Sequence, residues 1–421
     1  MTKNQQALFP LEDTKINVWD KEVPVEKSSY LTQDVEYINY DNLSAPKDKY
    51  TMIDLFCGAG GFAVAGSMAG FFSVLGNDHL KPAMTTWCKN HSNSLGVVGD
   101  IEKLNPEHLR KMLEDKGITH INLMTGGVPC QGFSLANRKH NDFDERNFLF
   151  LEYMRFIKEF MPDYVILENV SGMRIRAGGK FEQDIKAAIT GLGYNVSVKL
   201  LTAADFGVPQ IRKRLVFVGV KKDSSLVDEF VFPEGEFAEK KLCDKKNSKK
   251  PWRTVYDAIS DLPKLGNSEF AEDYSDEPKT EYQKIMRGLD KKYNIKKADK
   301  LYNHTAPTHP QETIDRIANT KQGEPMYEKF KQRIRLVENE PSPTQLAGGI
   351  RPQFQFGHPT QPRGLTIRER ARIQSFPDSY IFCGGTVQER VQTGNAVPPL
   401  MIYALAKEIA KDLDRKYKKK N

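Results

Sequence analysis

From Tyr50 to Val170 short apolar runs recur, and each gives way to glycine or to a residue bearing a carboxylate. Residues 50–56, 73–76, 97–101, 118–124 and 163–170 each have the length of a buried strand. Two more runs, 194–201 and 211–220, follow, with helix-like stretches at 63–70 and 148–160 among them. Strands alternating with helices build an α/β sandwich around a largely parallel sheet. Parallel strands bring their carboxyl ends to one edge, and open sheets of this kind hold ligands there. Functional residues are therefore expected in the turns that follow the strands.

The first turn narrows the ligand. Cys57-Gly58-Ala59-Gly60-Gly61-Phe62 joins the first strand to a helix. Strand, glycine turn and helix open a nucleotide-binding unit, because glycine lets the backbone come close to a ligand. Asp78 ends the next strand about 24 residues after Asp54, near the roughly 20 expected before an acidic group that holds ribose hydroxyls. The turn lacks GxGxxG spacing, so a compact nucleoside fits better than a dinucleotide. Asp100, after the third strand, is placed to accept from an adenine amino group, with an ordinary turn aspartate as the even alternative.

Gly126-Gly127-Val128-Pro129-Cys130-Gln131-Gly132-Phe133-Ser134 follows the fourth strand. A lone cysteine is more often a buried apolar residue than a nucleophile. Here it falls on the ligand-holding edge, and Glu168 ends an otherwise apolar strand on that same edge. A carboxylate in such a place is costly unless it has a partner or a task. Arg212 and Arg214 lie two apart at the start of a strand and so point to one side. Because they run directly into apolar sequence, contact with an anionic or carbonyl-bearing group is expected.

The flanks differ in character. Residues 1–48 are polar, with nine acidic and five basic side chains, so the net charge of +7 comes wholly from the remainder. Over 221–365 the periodicity fades and lysine and proline accumulate, as suits a smaller irregular domain. Order returns where Thr366 and Glu369 have the spacing of a capping box, and a last helix is expected over 399–414. With 39% hydrophobic and 28% charged residues in 421, the chain reads as soluble and long enough for two or three domains. No apolar run approaches the roughly 18 residues of a membrane span, and no secretory signal is evident. The five cysteines at 57, 88, 130, 243 and 383 show no zinc spacing, so no metal site is expected and reduced cytoplasmic thiols are. A basic balance permits a polyanionic partner, though the runs at 245–250 and 415–420 read singly as solvated faces.

Taken in order, these motifs resemble those of the cytosine-C5 DNA methyltransferases that use S-adenosylmethionine. DLFCGAGGF at 54–62, ND at 77–78, GDI at 99–101 and GGVPCQGFS at 126–134 come first. ENV at 168–170, QIRKR at 210–214, RERARIQSFP at 368–377 and GNAVPP at 394–399 complete the series. Each motif alone is weak, but eight in the family's order are specific.

The resemblance implies a Rossmann-like methyltransferase large domain over 49–220 and 394–421, with a small target-recognition domain over 221–393 and the polar extension 1–48 outside both. It implies transfer of a methyl group to C5 of a cytosine flipped out of duplex DNA. Cys130 would add to C6 and Glu168 would act on N3 and the exocyclic amine, a task requiring a protonated carboxyl group. Arg212 would favour the thiolate, and Arg214 would approach O2. Phe56, Gly58, Ala59, Gly60, Gly61, Phe62, Asp78, His79, Asp100, Ile101, Pro129, Leu149, Asn395 and Ala396 would line the S-adenosylmethionine site. Relatives often carry an aromatic residue at the place of His79. Gln131, Ser134, Gln210 and Thr344 would contact DNA, and 343–349 would end the recognition region. Double-stranded DNA is the expected partner, in the cytoplasm at the nucleoid, with monomeric action and a restriction endonuclease acting separately. Two rivals remain. A tRNA cytosine-C5 methyltransferase of this fold would share the PCQ and ENV motifs but usually has a shorter middle segment. A non-catalytic DNA-binding regulator would be expected to lose Cys130, Glu168 or the glycine turn.

Overall fold

A computed structural model of the chain describes residues 35–129, 149–174, 180–223, 225–243, 248–347 and 355–417. The strands are β1 (Glu36–Ile38), β2 (Tyr50–Leu55), β3 (Phe71–Asp78), β4 (Leu95–Val98), β5 (Leu123–Gly126), β6 (Tyr164–Val170), β7 (Tyr194–Thr202), β8 (Gln210–Ile211) and β9 (Lys213–Lys221). All but β8 share one sheet, in the order β1-β4-β3-β2-β5-β6-β9-β7. Strands β4, β3, β2, β5 and β6 run parallel, while β9 runs antiparallel to both β6 and β7. The order reverses between β2 and β5, the kind of point where α/β sheets open a ligand crevice.

Side-chain alternation explains the layers. Met52 faces one apolar cluster and Ile53 the other, as period two requires. On one side α1 (Gly61–Met68) packs against α11 (Pro399–Tyr417). On the other, α3 (Pro106–Glu114), α4 (Leu149–Phe160) and α5 (Lys180–Gly191) cover the sheet. The segment α2 (Lys81–Asn90) follows β3 and packs on β4.

One expectation shifts. The apolar run 118–124 is not all strand: Ile118 and Ile121 are buried ahead of β5, whose pairing with β2 and β6 extends to Gly126. Within the polar N-terminal extension, residues 36–38 add a short edge strand beside β4.

Between β9 and α11 the described residues make only short elements, as their composition foretells. They include α6 (Val255–Ile259), α7 (Glu281–Met286), α8 (Gln311–Asn319), α9 (Ile367–Ile373) and α10 (Thr386–Asn395). The capping box at Thr366 and Glu369 forms as read, starting α9. A two-residue strand, Ser342–Pro343, pairs in parallel with β8 and so brings the end of the irregular region to the sheet's carboxyl edge.

Candidate active site

The carboxyl ends of β2, β3, β4, β5 and β6 lie side by side, because Leu55 pairs with both Asn77 and Gly126, Asp78 with Val98, and Gly126 with Leu167. The turn after β2 is left-handed at Phe56, Gly58 and Gly60. A methyl group added at Gly58 would meet nothing within 4 Å, so the turn opens onto free space there. At Gly60 it would press on Tyr380 and Trp87, and at Gly61 on the carbonyl of Val397 at 2.2 Å. These two glycines are needed for packing; Gly58 faces open space. The Tyr380 hydroxyl donates to the Ala59 carbonyl at 2.5 Å and holds the turn from behind.

Asp78 accepts from the backbone N–H groups of Gly58 and Leu80, both at 2.9 Å. Its carboxylate thus ties the glycine turn to the end of β3, and burial raises its pKa. His79 is largely exposed beside it. Asp100 accepts from the Glu102 N–H at 3.1 Å and is exposed, while Ile101 is buried. Phe62 and Ala396 are buried, Pro129 and Leu149 are half-buried, and Asn395 is exposed.

Sequence reasoning missed Asp54. It is fully buried below the turn, accepts from the Thr125 hydroxyl at 2.9 Å, and burial pushes its pKa up to about 8. Since the unfolded carboxyl titrates near 3.9, the folded state retains a proton that the unfolded chain loses between about pH 4 and 8. Stability contributed by this group therefore falls as pH rises through that window. Asp54→Asn is expected to flatten this part of the profile, as read from thermal midpoints at several pH values.

Glu168 is nearly buried, and its Oε1 lies 2.5 Å from Nε of Arg214. The pair follows from register: Glu168 is opposite Val216 and Val170 opposite Arg214, so both side chains are on one face of the antiparallel ladder. Burial lowers the Arg214 pKa, and the Glu168 carboxylate opposes that. A methyl group at Gly127 would lie 3.7 Å from Oε2 of Glu168, 3.7 Å from the Phe56 carbonyl and 3.8 Å from the Phe62 ring. Gly127 is therefore where the glycine turn and the carboxylate meet. Asn169 donates to the Val128 carbonyl at 3.0 Å, fixing the backbone just before Cys130. Cys130 itself, with Gln131 and Ser134, lies outside the described residues.

The remaining expected residues split by role. Arg212 is buried and donates to the carbonyls of Gln345 at 3.0 Å and Gly394 at 3.1 Å. Burial, with Arg214 and Arg370 adding repulsion, drives its pKa well down. Its visible task is to join the end of the irregular region to α10. Gln210, expected at DNA, is fully buried instead, bonded to Gln374 at 2.7 Å and accepting from the Gln345 N–H at 2.9 Å. Thr344 is half-buried, its hydroxyl donating to the Ile211 carbonyl at 2.8 Å.

A sheet of this order, a glycine turn with an acidic residue at the next strand end, and a carboxylate–arginine pair on the same edge define the Rossmann-like S-adenosylmethionine-dependent methyltransferase class. Comparison with known proteins places the chain more closely: residues 50–411 match the C-5 cytosine-specific DNA methylase family, and the chain belongs to it. Its enzyme class is DNA (cytosine-5-)-methyltransferase. It is 35% identical over 389 residues to the Type II methyltransferase M.DdeI of Desulfomicrobium norvegicum, covering 85% of this chain and 88% of that one. It is 32% identical over 373 residues to the Type II methyltransferase M1.HphI of Haemophilus parahaemolyticus, covering 86% and 87%. A solved structure described as a DNA modification methyltransferase encoded within a prophage (E. coli) superposes with a TM-score of 0.68 at 27% identity, covering 87% of this chain and 98% of that one. Among the described residues no helix is long and apolar enough to cross a membrane.

Proposed function

We propose that this protein methylates C5 of a flipped-out cytosine within a specific sequence of duplex DNA, as the modification enzyme of a restriction-modification system. The observation that carries the reading is the meeting at Gly127 of the open glycine turn with the Glu168–Arg214 pair. The residues fit S-adenosylmethionine: Gly58 opens onto free space, with Asp78 bound to its N–H and Asp100 and His79 exposed nearby. Bound there, the donor supplies a methyl group to C5 and leaves as S-adenosylhomocysteine.

The chain's own groups do the rest. The Cys130 thiolate forms a bond to C6, which splits one difficult substitution into two easier steps. Glu168 holds N3 and the exocyclic amine, stabilising the electron density pushed into the ring, and Arg214 orients both Glu168 and O2. After methylation the C5 proton leaves to a base, and its electron pair re-forms the double bond as the sulfur–C6 bond breaks. DNA lies between a large body (49–220 and 394–421) and a small one (221–393), with base-edge contacts from the small one setting sequence choice.

The test is transfer of labelled methyl from S-adenosylmethionine to duplex DNA, with tRNA in parallel. Label on DNA alone is expected. Label on tRNA alone would reject the substrate, and label on neither would reject the activity.

A further inference from the structure

We propose that residues 35–45 form a positioning strap for the methyl-donor pocket, an addition to the catalytic fold that tunes donor affinity. The inference rests on the cofactor reading above. The family match begins at residue 50, yet the preceding segment is built into the sheet and its core. Leu43 is buried, while Val35, Tyr37, Tyr40 and Ala45 pack against the large apolar cluster.

What the strap holds is specific. β1 pairs along β4, with Glu36 opposite Val98 and Ile38 opposite Gly96, so it closes the edge of the strand that leads to Asp100 and Ile101. It also holds both ends of α2. Glu36 reaches Lys81 at 2.8 Å in the first turn, and the Asn39 side chain donates to the Cys88 carbonyl at 3.3 Å near the last. The first contact is exposed and contributes little; the apolar one matters more. Ile38 packs on the cluster of Cys57, Ala63, Met84, Trp87, Cys88 and Val98. That cluster underlies the glycine turn, since Trp87 presses against the Cβ positions of both Gly60 and Gly76. Close-packed interiors transmit such displacements. A continuous path of packed side chains thus runs from Ile38 through Trp87 to the turn that faces the donor.

The strap touches neither Glu168 nor the segment at 342–347 in any contact described, so its loss should spare the chemistry. In the full-length protein, Ile38→Ala and Ile38→Ala/Asn39→Ala are compared with Ile38→Val. Steady-state kinetics in donor and in duplex DNA are measured alongside calorimetric binding of S-adenosylhomocysteine. We expect donor KM and the S-adenosylhomocysteine Kd to rise about fivefold or more, with kcat at saturating donor and KM for DNA unchanged, and Ile38→Val close to the parent. Unchanged donor KM in the folded double variant would overturn the strap. So would equal loss in donor affinity, DNA affinity and kcat, which marks general loosening. Should the alanine variants fail to fold, Ile38→Thr, which keeps the branched shape but weakens the apolar contact, takes their place, and an unaltered donor KM in that folded variant would overturn the strap. Absence of S-adenosylhomocysteine binding by the parent protein would instead reject the cofactor reading.

Discussion

Cys130→Ser is expected to abolish methyl transfer while S-adenosylhomocysteine and duplex DNA still bind. A free cysteine thiol is a few per cent ionised at neutral pH and strongly nucleophilic, whereas a serine hydroxyl requires a general base to act. A parallel change, Glu168→Gln, retains size and hydrogen bonding but removes the acid; loss of a positioned acid or base typically costs about 10² to 10⁴ in rate. Arg214→Met would reveal a different fault. It leaves the Glu168 carboxylate nearly buried without its partner at 2.5 Å, so stability should fall along with rate. Duplex DNA carrying 5-fluorocytosine at the target separates the roles, because the ring then has no C5 proton to lose and the sulfur–carbon bond cannot break. The parent should form a denaturation-resistant protein–DNA adduct, and Cys130→Ser should form none. Methyl transfer by Cys130→Ser would reject Cys130 as the nucleophile.

The legible part of this molecule was its sheet edge. Strand ends marked by glycine or a carboxylate told where Asp78, Asp100 and Glu168 would stand, and the structure puts them on one edge. Less legible was what the arginines and glutamines do. Spacing says that Arg212 and Arg214 share a side, but not that one meets a carboxylate and the other two carbonyls. The two carbonyls come from residues far along the chain, at 345 and 394, and no local pattern encodes such a meeting. Gln210 shows the same limit: the resemblance implied a DNA contact, and the residue is buried in a lattice with Gln345 and Gln374. Gly394 belongs to that lattice too. A Cβ there would lie 2.4 Å from the backbone of Ala347, so the glycine is required for close approach of the irregular region. The short strand in the N-terminal extension could not be placed for another reason: three residues of edge strand carry too little periodicity to stand out from polar sequence.

RERARIQSFP is the motif whose task the sequence disclosed least. Its three arginines, Arg368, Arg370 and Arg372, are buried, and with Arg363 and Glu369 they organise the irregular region from within. Arg370 donates to the Leu346 carbonyl at 3.1 Å and to the Thr393 hydroxyl at 3.0 Å. Gln374 donates to the Thr393 carbonyl at 2.6 Å. α9 therefore fastens the end of the irregular region to α10. The same helix is anchored through Arg372, which spans Asp261 at 2.6 Å and Asp378 at 2.7 Å with no exposure of any of the three. Burial alone would depress the Arg372 pKa, but the two carboxylates outweigh it and raise it.

Arg372→Met is accordingly expected to destabilise the protein by about 3 to 5 kcal/mol, the usual cost of removing one partner from a buried ion pair. The lower part of that range is the better expectation. Asp261 keeps Arg287 at 2.6 Å, and Asp378 keeps the Tyr274 hydroxyl at 2.7 Å. A loss of this size is a large fraction of the roughly 5 to 15 kcal/mol that holds a domain together, so the urea midpoint should drop well below that of the parent. pH offers an independent check. The Asp378 pKa is lowered: burial would raise it, but Arg372 overrides burial. Its contribution is present above the unfolded value near 3.9 and is lost as pH falls through the depressed folded value. Without Arg372 that acid-side loss should shrink, and the variant's stability should depend less steeply on pH below about 4. A parent-like urea midpoint in Arg372→Met would show that α9 is held by its apolar face and not by this buried triad.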